Sequence, residues 1–212
     1  MAVSAASHET GSRTRNRRGE GARLRTEILA AAAELLDETG DEQAVTLRAV
    51  ARRIGISAPS IYGHFADRQA ILLALARQAF AELTGALTAA ADPDPVQRLR
   101  DVCAAYLGFA TDRPQRYRVM FGGLWNAAGA VDEAAISAAD ATALGQEALQ
   151  VLADALADCV AAGRSGSTNP AADAVALWLG LHGLAHQRSV SRAFPWPDDI
   201  VERLVGPIAH LR

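Results

Sequence analysis

Two short helical segments separated by only a few residues constrain the fold of this chain more than any other feature. Four apolar residues recur at the three- and four-residue spacing of one helix face: Leu47, Val50, Ala51 and Ile54. Thr46 precedes them as an N-cap residue, and Gly55 follows them where a helix typically ends. Ser57 is then placed to cap a further short helix, whose first turn tolerates Pro59 because the missing N–H makes no intrahelical bond there. The pattern predicts two helices that meet at a tight corner.

Such a corner has an inner and an outer side. The residues that can form the inner seam are Val50, Ala51, Ile54, Ile56 and Ile61, and those that point outward are Ala58, Pro59, Ser60 and Gly63. An exposed short helix with small or polar residues at its N-terminal end can enter the major groove of DNA and contact base edges. The neighbouring side chains that can bind phosphates are those of Thr46, Arg48, Tyr62, His64 and Arg68. The same corner also occurs as an ordinary turn in helical bundles, so the geometry alone leaves both interpretations open.

The composition predicts helices along the rest of the chain as well. The 212 residues include 47 Ala and 23 Leu, whereas Val, Ile and Thr together number 31. Ala and Leu favour helices and the β-branched residues favour strands, so we expect an all-α fold. The most apolar run that we identify, from Ala174 to Ala185, is shorter than the ~18 residues that a membrane span requires. We therefore expect no membrane partner.

Helical periodicity, interrupted by Gly and Pro, predicts nine helices. They cover residues 22–38, 47–54, 58–64, 67–91, 95–111, 114–122, 132–162, 170–190 and 198–211. From these we expect a flexible Arg-rich arm at 1–21, a three-helix domain with a helix-turn-helix at 22–66, and a larger helical body at 67–212. The fourth helix joins the last two.

The charge is distributed unevenly along the chain. The net charge of −3 by itself argues against a nucleic-acid partner. Residues 1–66, however, carry nine Arg against eight acidic residues, while residues 67–212 carry twelve against sixteen. The acidic residues of the first part cluster at Glu34, Asp37, Glu38, Asp41 and Glu42. The arginines at positions 13, 15, 17, 18, 23, 25, 48, 52 and 53 can therefore face a polyanion, or else form a solvated surface.

The segment from Thr46 to Arg68 closely resembles the DNA-binding signature of TetR (tetracycline-repressor-like) transcription regulators. Its sequence is TLRAVARRIGISAPSIYGHFADR, with Tyr-x-His-Phe followed three positions later by a basic residue. Arg68 stands where Lys is common in the family, and Gly63 stands where a larger residue is usual. The small Gly63 removes one possible DNA contact, so we expect apolar contacts and DNA shape to contribute to specificity.

The resemblance implies a homodimer with a DNA-binding head and a body that binds a small molecule and dimerises through its last two long helices. It implies that the residues facing the bases are Ser57, Ala58, Pro59 and Ser60, and that those anchoring phosphates are Thr46, Arg48, Tyr62, His64 and Arg68. A weaker similarity, carried by Pro114–Phe121 and Trp178–Gly183, resembles one C-terminal subtype in which Trp, His and Gly recur on the penultimate helix.

Large side chains in the body are few, and several of them gather in its middle. We expect the residues that line a pocket for a mainly apolar ligand to be Tyr106, Phe109, Tyr117, Met120, Phe121, Trp125, Gln146, Trp178 and His182. The alternative is that these aromatic residues are ordinary core. His182 and His186 share a helix face but lack the Glu of a zinc-hydrolase motif, so we expect neither a metal nor another cofactor.

Glycines on the penultimate helix indicate a close approach of another helix. Gly180 and Gly183 lie among leucines, and the final helix carries Ile200, Leu204, Ile208 and Leu211. This pattern fits a four-helix seam between two copies of the chain, and a packed monomer core explains it equally well.

These features predict a cytoplasmic, ligand-responsive regulator of transcription. Most simply, it is a repressor that a small apolar effector releases from a palindromic operator in double-stranded DNA. The alternatives are a transcriptional activator and a helical ligand-binding or adaptor protein that does not bind DNA. The sequence contains no nucleophile elbow, phosphate loop or paired acids typical of an enzyme.

Overall fold

The computed structural model describes residues 20–121, 143–191 and 193–212. The helices in these ranges are α1 (Glu20–Thr39), α2 (Leu47–Arg53), α3 (Arg68–Thr88), α4 (Pro95–Asp112), α5 (Pro114–Phe121), α6 (Gln146–Ala161), α7 (Pro170–Val190) and α8 (Ile200–Ile208). Two 3-10 turns, Glu42–Ala44 and Ala58–Ile61, flank α2. The same ranges contain no β-strand, only one isolated bridge between Ser165 and Leu211. The predicted all-α fold is confirmed.

Side-chain caps fix the start of several helices. The capping residues, each of which accepts a hydrogen bond from a backbone N–H two or three residues further on, are Thr46, Asp67, Asp94 and Asn169. Pro95, Pro114 and Pro170 each begin the helix that follows. Such residues favour helix starts because they satisfy, or do not supply, the N–H groups that lack an intrahelical partner. This explains why most helix starts were predictable.

The buried apolar side chains form two clusters, which we call the head core and the body core. The head core contains residues of α1 and α2 together with Ile61 and Phe65. The body core is built mainly from α4, α6 and α7. The helix α3 belongs to both, since Ile71–Ala76 lie in the head core while Ala79, Leu83 and Leu87 lie in the body core. One continuous helix therefore connects the two parts of the molecule.

Among the described residues, α3 is the one helix long and apolar enough to cross a membrane. Half of its most apolar window is buried inside the protein. Because the buried side of α3 packs in both cores, its apolar character is explained by its position as a core helix. In the sequence, Arg77 interrupts this apolar stretch.

The segment after Gly55 differs from the prediction. Ala58–Ile61 form a single 3-10 turn in place of a longer α-helix, and Ser57 makes no capping hydrogen bond to the backbone. The Ser57 hydroxyl lies 2.8 Å from the Ser60 hydroxyl. Because it is turned toward this side chain, the predicted cap at Ser57 is wrong.

The helices predicted at 132–162 and 198–211 also have different bounds in the structure. α6 begins at Gln146, directly after Gly145, whose φ of 81° is a left-handed conformation that interrupts a helix. The predicted part of this helix within 122–142 lies outside the described residues. The final helix ends at Ile208, because His210 adopts a φ of 50° and Leu211 bridges back to Ser165.

Candidate DNA-binding surface and ligand cavity

The corner between α2 and the 3-10 turn Ala58–Ile61 has helix-turn-helix geometry. Gly55, two residues after the end of α2, has a φ of 69°, and the Ile56 N–H donates to the Ala51 carbonyl at 3.0 Å. This six-residue closure is typical of a helix that ends at a left-handed glycine. Val50, Ala51 and Ile61 are buried in the seam, with Ile54 and Ile56 packed beside them. The residues predicted for the inner side of the corner are therefore buried or partly buried there.

The predicted base-facing residues lie on the outside of this corner. Ser57, Pro59 and Ser60 are exposed, and Ala58 is partly exposed. Gly63 is exposed too, and a Cβ added there would meet no heavy atom within 4 Å. The residues of the turn itself therefore have small side chains, which leaves room for a second macromolecule to approach the backbone.

The predicted phosphate-binding residues surround the turn. Tyr62 is 61% exposed, which is unusual for an aromatic side chain, and Arg48 and Thr46 are exposed as well. The Thr46 hydroxyl oxygen accepts a hydrogen bond from the Ala49 N–H at 3.1 Å, so its own proton can still be donated. His64 is partly buried next to the start of α1, where a Cβ on Gly21 would lie 3.8 Å from its ring.

Arg68 differs from the other phosphate candidates because its guanidinium already has partners. It donates hydrogen bonds to the carbonyl oxygens of Val45, at 3.1 Å, and Glu42, at 2.7 Å. These bonds hold the 3-10 turn before α2 against the start of α3. The structure thus places Arg68 in the framework of the head.

Arginines form ion pairs with acidic residues of the cluster in the head. Arg53 forms ion pairs with Glu34 and Glu38, and its hydrogen bond holds the pKa of Glu38 below the ordinary value. Arg53 is therefore not available to face DNA as the sequence suggested. Of the other arginines in that set, Arg23 pairs with Glu27 and Arg25 lies 4.8 Å over the Phe65 ring, while those at 13–18 lie outside the described residues.

Further ion pairs connect the head to α5 of the body. Arg116 lies 3.4 Å from Asp37, and Arg118 donates to the Gly40 carbonyl at 2.9 Å and lies 3.4 Å from Glu42. Val119, the residue after Arg118, is 1% exposed and packs in the head core. Burial of such a side chain contributes about 1.5–3 kcal/mol, whereas exposed ion pairs contribute about 0.2–1 kcal/mol each. Val119 therefore contributes more to the attachment of α5 to the head than either ion pair does.

The body contains a cavity of about 350 Å³ between α3, α4, α6 and α7. Its lining residues are Phe80, Leu83, Leu87, Val102, Tyr106, Phe121, Leu144, Gly145, Gln146, Ala148, Leu149, Leu152, Trp178 and Leu181. This volume is at the lower end of the ~300–1,000 Å³ range of small-molecule pockets. The wall is largely apolar, so the cavity suits a small apolar ligand.

The nine residues predicted to line a pocket divide into three groups. Tyr106, Phe121, Gln146 and Trp178 line the cavity. Phe109, Tyr117 and Met120 are buried in the body core without lining it, and His182 lies behind the wall. Trp125 lies outside the described residues. The aliphatic lining and Phe80 were missed, because apolar residues at helical spacing do not reveal whether they border a void.

Gly145 explains how Phe80 reaches the cavity wall. A Cβ on Gly145 would lie 2.8 Å from the Phe80 ring, closer than atoms of this kind approach one another. The absence of a side chain there lets the ring pack directly on the backbone before α6. The Phe80 ring in turn meets Phe121 edge-on, with centroids 5.5 Å apart.

A chain of hydrogen bonds runs from Tyr106 in the cavity wall to His182 of α7. The Tyr106 and Tyr117 hydroxyls are 3.2 Å apart, and the Tyr117 hydroxyl is 2.6 Å from Nδ1 of His182. Burial lowers the pKa of His182, and the nearby His186 acts in the same direction. Burial raises the pKa of Tyr106 to about 12 and also raises the pKa of Tyr117. All three groups are therefore neutral at physiological pH.

Aromatic packing holds this chain in place. His182 stacks on Trp178 with ring centroids 5.8 Å apart, and Phe121 meets His182 edge-on at 4.7 Å. Tyr117 and Phe121, one turn apart on α5, are also in contact, at 5.0 Å. Residues of α5 and α7 thus form one aromatic cluster beside the cavity.

The two glycines of α7 have different surroundings. A Cβ on Gly180 would lie 2.8 Å from Leu204 of α8 in the same chain, whereas a Cβ on Gly183 would meet nothing within 4 Å. Near Gly183 the outer face of α7 exposes Val175, Leu179 and Val190. Packing within the chain accounts for Gly180, whereas the apolar face around Gly183 has no partner among the residues that the structure describes. Over the described ranges, no cluster of His, Cys, Asp and Glu could hold a metal ion.

The fold and these two sites define a class of protein: an all-α molecule with a helix-turn-helix head and a body that contains a ligand-sized cavity. Residues 28–75 match the model of the bacterial regulatory proteins of the tetR family, and residues 99–207 match the tetracyclin repressor-like C-terminal domain. The chain therefore belongs to the TetR family of transcriptional regulators. No curated protein sequence matches it.

Several solved structures share this fold. A protein of unknown function from Rhodococcus sp. RHA1 is 26% identical, with a TM-score of 0.69, and the match covers 88% of this chain and 91% of that one. A TetR-family transcriptional regulator from Pectobacterium atrosepticum is 20% identical over 92% and 93% of the two chains, with a TM-score of 0.64. The TetR-family regulator PfmR from Thermus thermophilus is 22% identical over 86% and 96%, with a TM-score of 0.59.

Proposed function

We propose that this protein is a cytoplasmic, homodimeric repressor that a small, mainly apolar molecule releases from a palindromic DNA operator. The observation that carries this proposal is the position of α5. One side of this helix contributes Phe121 to the cavity wall, and the other buries Val119 in the head core. A change in the cavity is thus one short helix away from the DNA-binding surface.

The DNA-binding surface is the outer side of the helix-turn-helix corner. Ser57, Ala58, Pro59 and Ser60 face the bases, and the exposed Thr46, Arg48 and Tyr62, together with the partly buried His64, bind phosphates. Because one such corner makes few contacts, two copies are needed, and two heads spaced about 34 Å apart or a multiple of it engage successive major grooves. The exposed face of α7, together with α8, supplies the dimer interface.

Ligand binding weakens operator binding through α5 and α3. A ligand that occupies the cavity presses on Phe121 and Phe80, and these residues belong to the two helices that enter the head core. A coupling free energy of about 1–3 kcal/mol lowers operator affinity about 5- to 150-fold, which is sufficient for a genetic switch.

The DNA-binding part of this proposal is tested by fluorescence anisotropy with the DNA upstream of the protein's own gene and with an unrelated duplex. We expect Arg48→Gln to lower the slope of log K against log salt by about 0.9, the loss of one phosphate contact, on both duplexes. Arg164→Gln is the matched control, because Arg164 is an exposed residue of the body, outside α7 and α8, and is paired with Asp94. Equal slopes for all three proteins would contradict the assignment of this surface.

Two further outcomes would favour the alternatives. If the wild-type protein binds neither duplex at low salt, it is a helical ligand-binding or adaptor protein. If it binds its upstream DNA and transcription from that promoter rises in its presence, it is an activator. Native mass spectrometry of the protein purified from its host tests for a co-purified small molecule.

A further inference from the structure

We propose that the cavity takes an uncharged ligand with one hydrogen-bonding group directed at the Tyr106 hydroxyl, and that Tyr117 transmits the arrival of that group to α5. This inference rests on the proposed ligand-responsive function and specifies its ligand class and trigger. The observation behind it is the hydrogen-bonded chain Tyr106–Tyr117–His182, which begins at the cavity wall and ends on α7.

The ligand is uncharged because the described part of the cavity wall offers a charge no partner. Of the described residues that line it, none carries a charged side chain, and the hydrogen-bonding side chains are those of Tyr106, Gln146 and Trp178. Moving an ion from water into such surroundings without an opposite charge costs several kcal/mol, whereas a neutral hydroxyl needs only one hydrogen-bond partner. The cavity therefore discriminates strongly between a neutral molecule and its ionised analogue.

The polar group of the ligand meets the end of the hydrogen-bonded chain. When the neutral His182 ring accepts at Nδ1, the Tyr117 hydroxyl donates to it and the Tyr106 hydroxyl donates to Tyr117. The Tyr106 oxygen then accepts from Trp178 and has one further lone pair for a ligand. In the other His182 tautomer every bond of the chain reverses, and Tyr106 has its proton to donate. The chain can thus accept a hydrogen bond from an alcohol in one arrangement or donate one to a carbonyl in the other, and the polar group of the ligand selects between the two arrangements.

Tyr117 connects the hydrogen-bond arrangement of this chain to the head. It lies on α5, one residue from Arg118 and two from Val119, which hold α5 on the head. The Tyr106–His182 distance of 3.4 Å is longer than the 2.6 Å between Tyr117 and His182, so Tyr117 is the tighter partner of the histidine. A ligand bound to Tyr106 alters the bond that positions Tyr117 and hence the position of α5. Tyr117 is a positioning residue in this scheme.

The ligand class is tested with three flexible eight-carbon probes that differ only in the polar end: 1-octanol, octanoate and octylammonium. Binding to the full-length protein is measured by isothermal titration calorimetry near pH 7.5. We expect 1-octanol to bind at least about tenfold more tightly than either ion, and Tyr106→Phe to weaken 1-octanol binding about 2- to 10-fold. Equal or tighter binding of an ion, or no binding of 1-octanol, would overturn the ligand class.

The trigger is tested by anisotropy of the operator complex with and without saturating 1-octanol. We expect wild-type protein to release DNA, and Tyr117→Phe, which keeps the buried ring, to bind DNA and 1-octanol within about threefold of wild type but to retain DNA when 1-octanol is present. His182→Phe, which removes the acceptor at the end of the chain, should behave in the same way. Normal release by both variants, or no release from the wild type, would overturn the trigger. Failure of the wild type to bind DNA without any probe would instead contradict the proposed function.

Discussion

At the scale of single residues, hydrogen-bond partners separate the side chains that build the head from those available to DNA. Thr46 can do both, because its oxygen caps α2 while its proton is free for another acceptor. Arg68 has its guanidinium on two backbone carbonyls. The sequence signature includes both residues and cannot distinguish these roles, since the partners of Arg68 lie more than twenty positions away in the chain.

Arg68→Gln is expected to lower the free energy of unfolding by about 1.5–3 kcal/mol, because hydrogen bonds from a charged donor to two carbonyls are lost. Arg52→Gln is the matched control, since Arg52 is an exposed residue of α2, and we expect a change within about 0.5 kcal/mol. Urea denaturation of both variants measures the difference. Equal stability of the two variants would return Arg68 to the phosphate-binding set.

His182 gives the stability of the protein a pH dependence. Burial lowers its pKa below the ordinary value of 6.5, so on acidification the unfolded chain takes up a proton before the folded chain does. The stability that the neutral ring contributes is fully present above pH 6.5 and is lost as the pH falls below that value. We expect the unfolding free energy of the wild type to decrease between about pH 7.5 and 5.5 by more than that of His182→Asn. Parallel pH profiles in chemical denaturation would contradict this prediction.

At the scale of helices, the sequence predicted the beginnings of elements better than their ends or their contacts. Caps and prolines mark the starts of α2, α4, α5 and α7 within the local sequence. The segment Ala58–Ile61 was predicted as part of a longer α-helix but forms a 3-10 turn. Local sequence does not distinguish the two, because the packing of the seam with α2 decides which one forms. The attachment of Val119 to the head core was missed, since one apolar residue on a short helix does not indicate which of two cores receives it.

The outer face of α7 provides a test of dimerisation. We expect Leu179→Glu to shift the protein from dimer to monomer in sedimentation velocity, because a charge would be placed in an apolar interface. Ala104→Glu, which adds the same charge to an exposed position of α4, should leave the dimer intact. A monomeric wild type, or an undisturbed Leu179→Glu dimer, would count against an interface on α7.

At the scale of the whole molecule, the arginines that precede α1 in the sequence lead to a prediction about DNA binding. Arg13, Arg15, Arg17 and Arg18 lie outside the described residues, but they directly precede α1, whose start lies beside His64 of the candidate DNA surface. We expect deletion of residues 1–18 to reduce the salt slope of DNA binding by up to about 0.9 per arginine that contacts a phosphate. A truncated protein with the wild-type slope would show that the arm does not bind DNA.

The head and the body are less separate in the structure than the predicted boundary in the sequence implies. The predicted boundary at residue 67 lies at the end of the helix-turn-helix signature, just before Arg68. The head core nevertheless takes Ile71–Ala76 from α3 and Val119 from α5. Contacts between residues so distant in sequence cannot be inferred from local periodicity.

This shared core limits how the molecule can be cut or recombined. A fragment ending at residue 67 would leave Ile28, Leu36 and Phe65 facing solvent where α3 and Val119 now cover them. An exchange of DNA specificity between relatives would therefore require the donor's first half of α3 and a matching surface on α5. In evolution, too, substitutions that retune the operator are expected to stay on the outside of the corner, where no residue of the body depends on them.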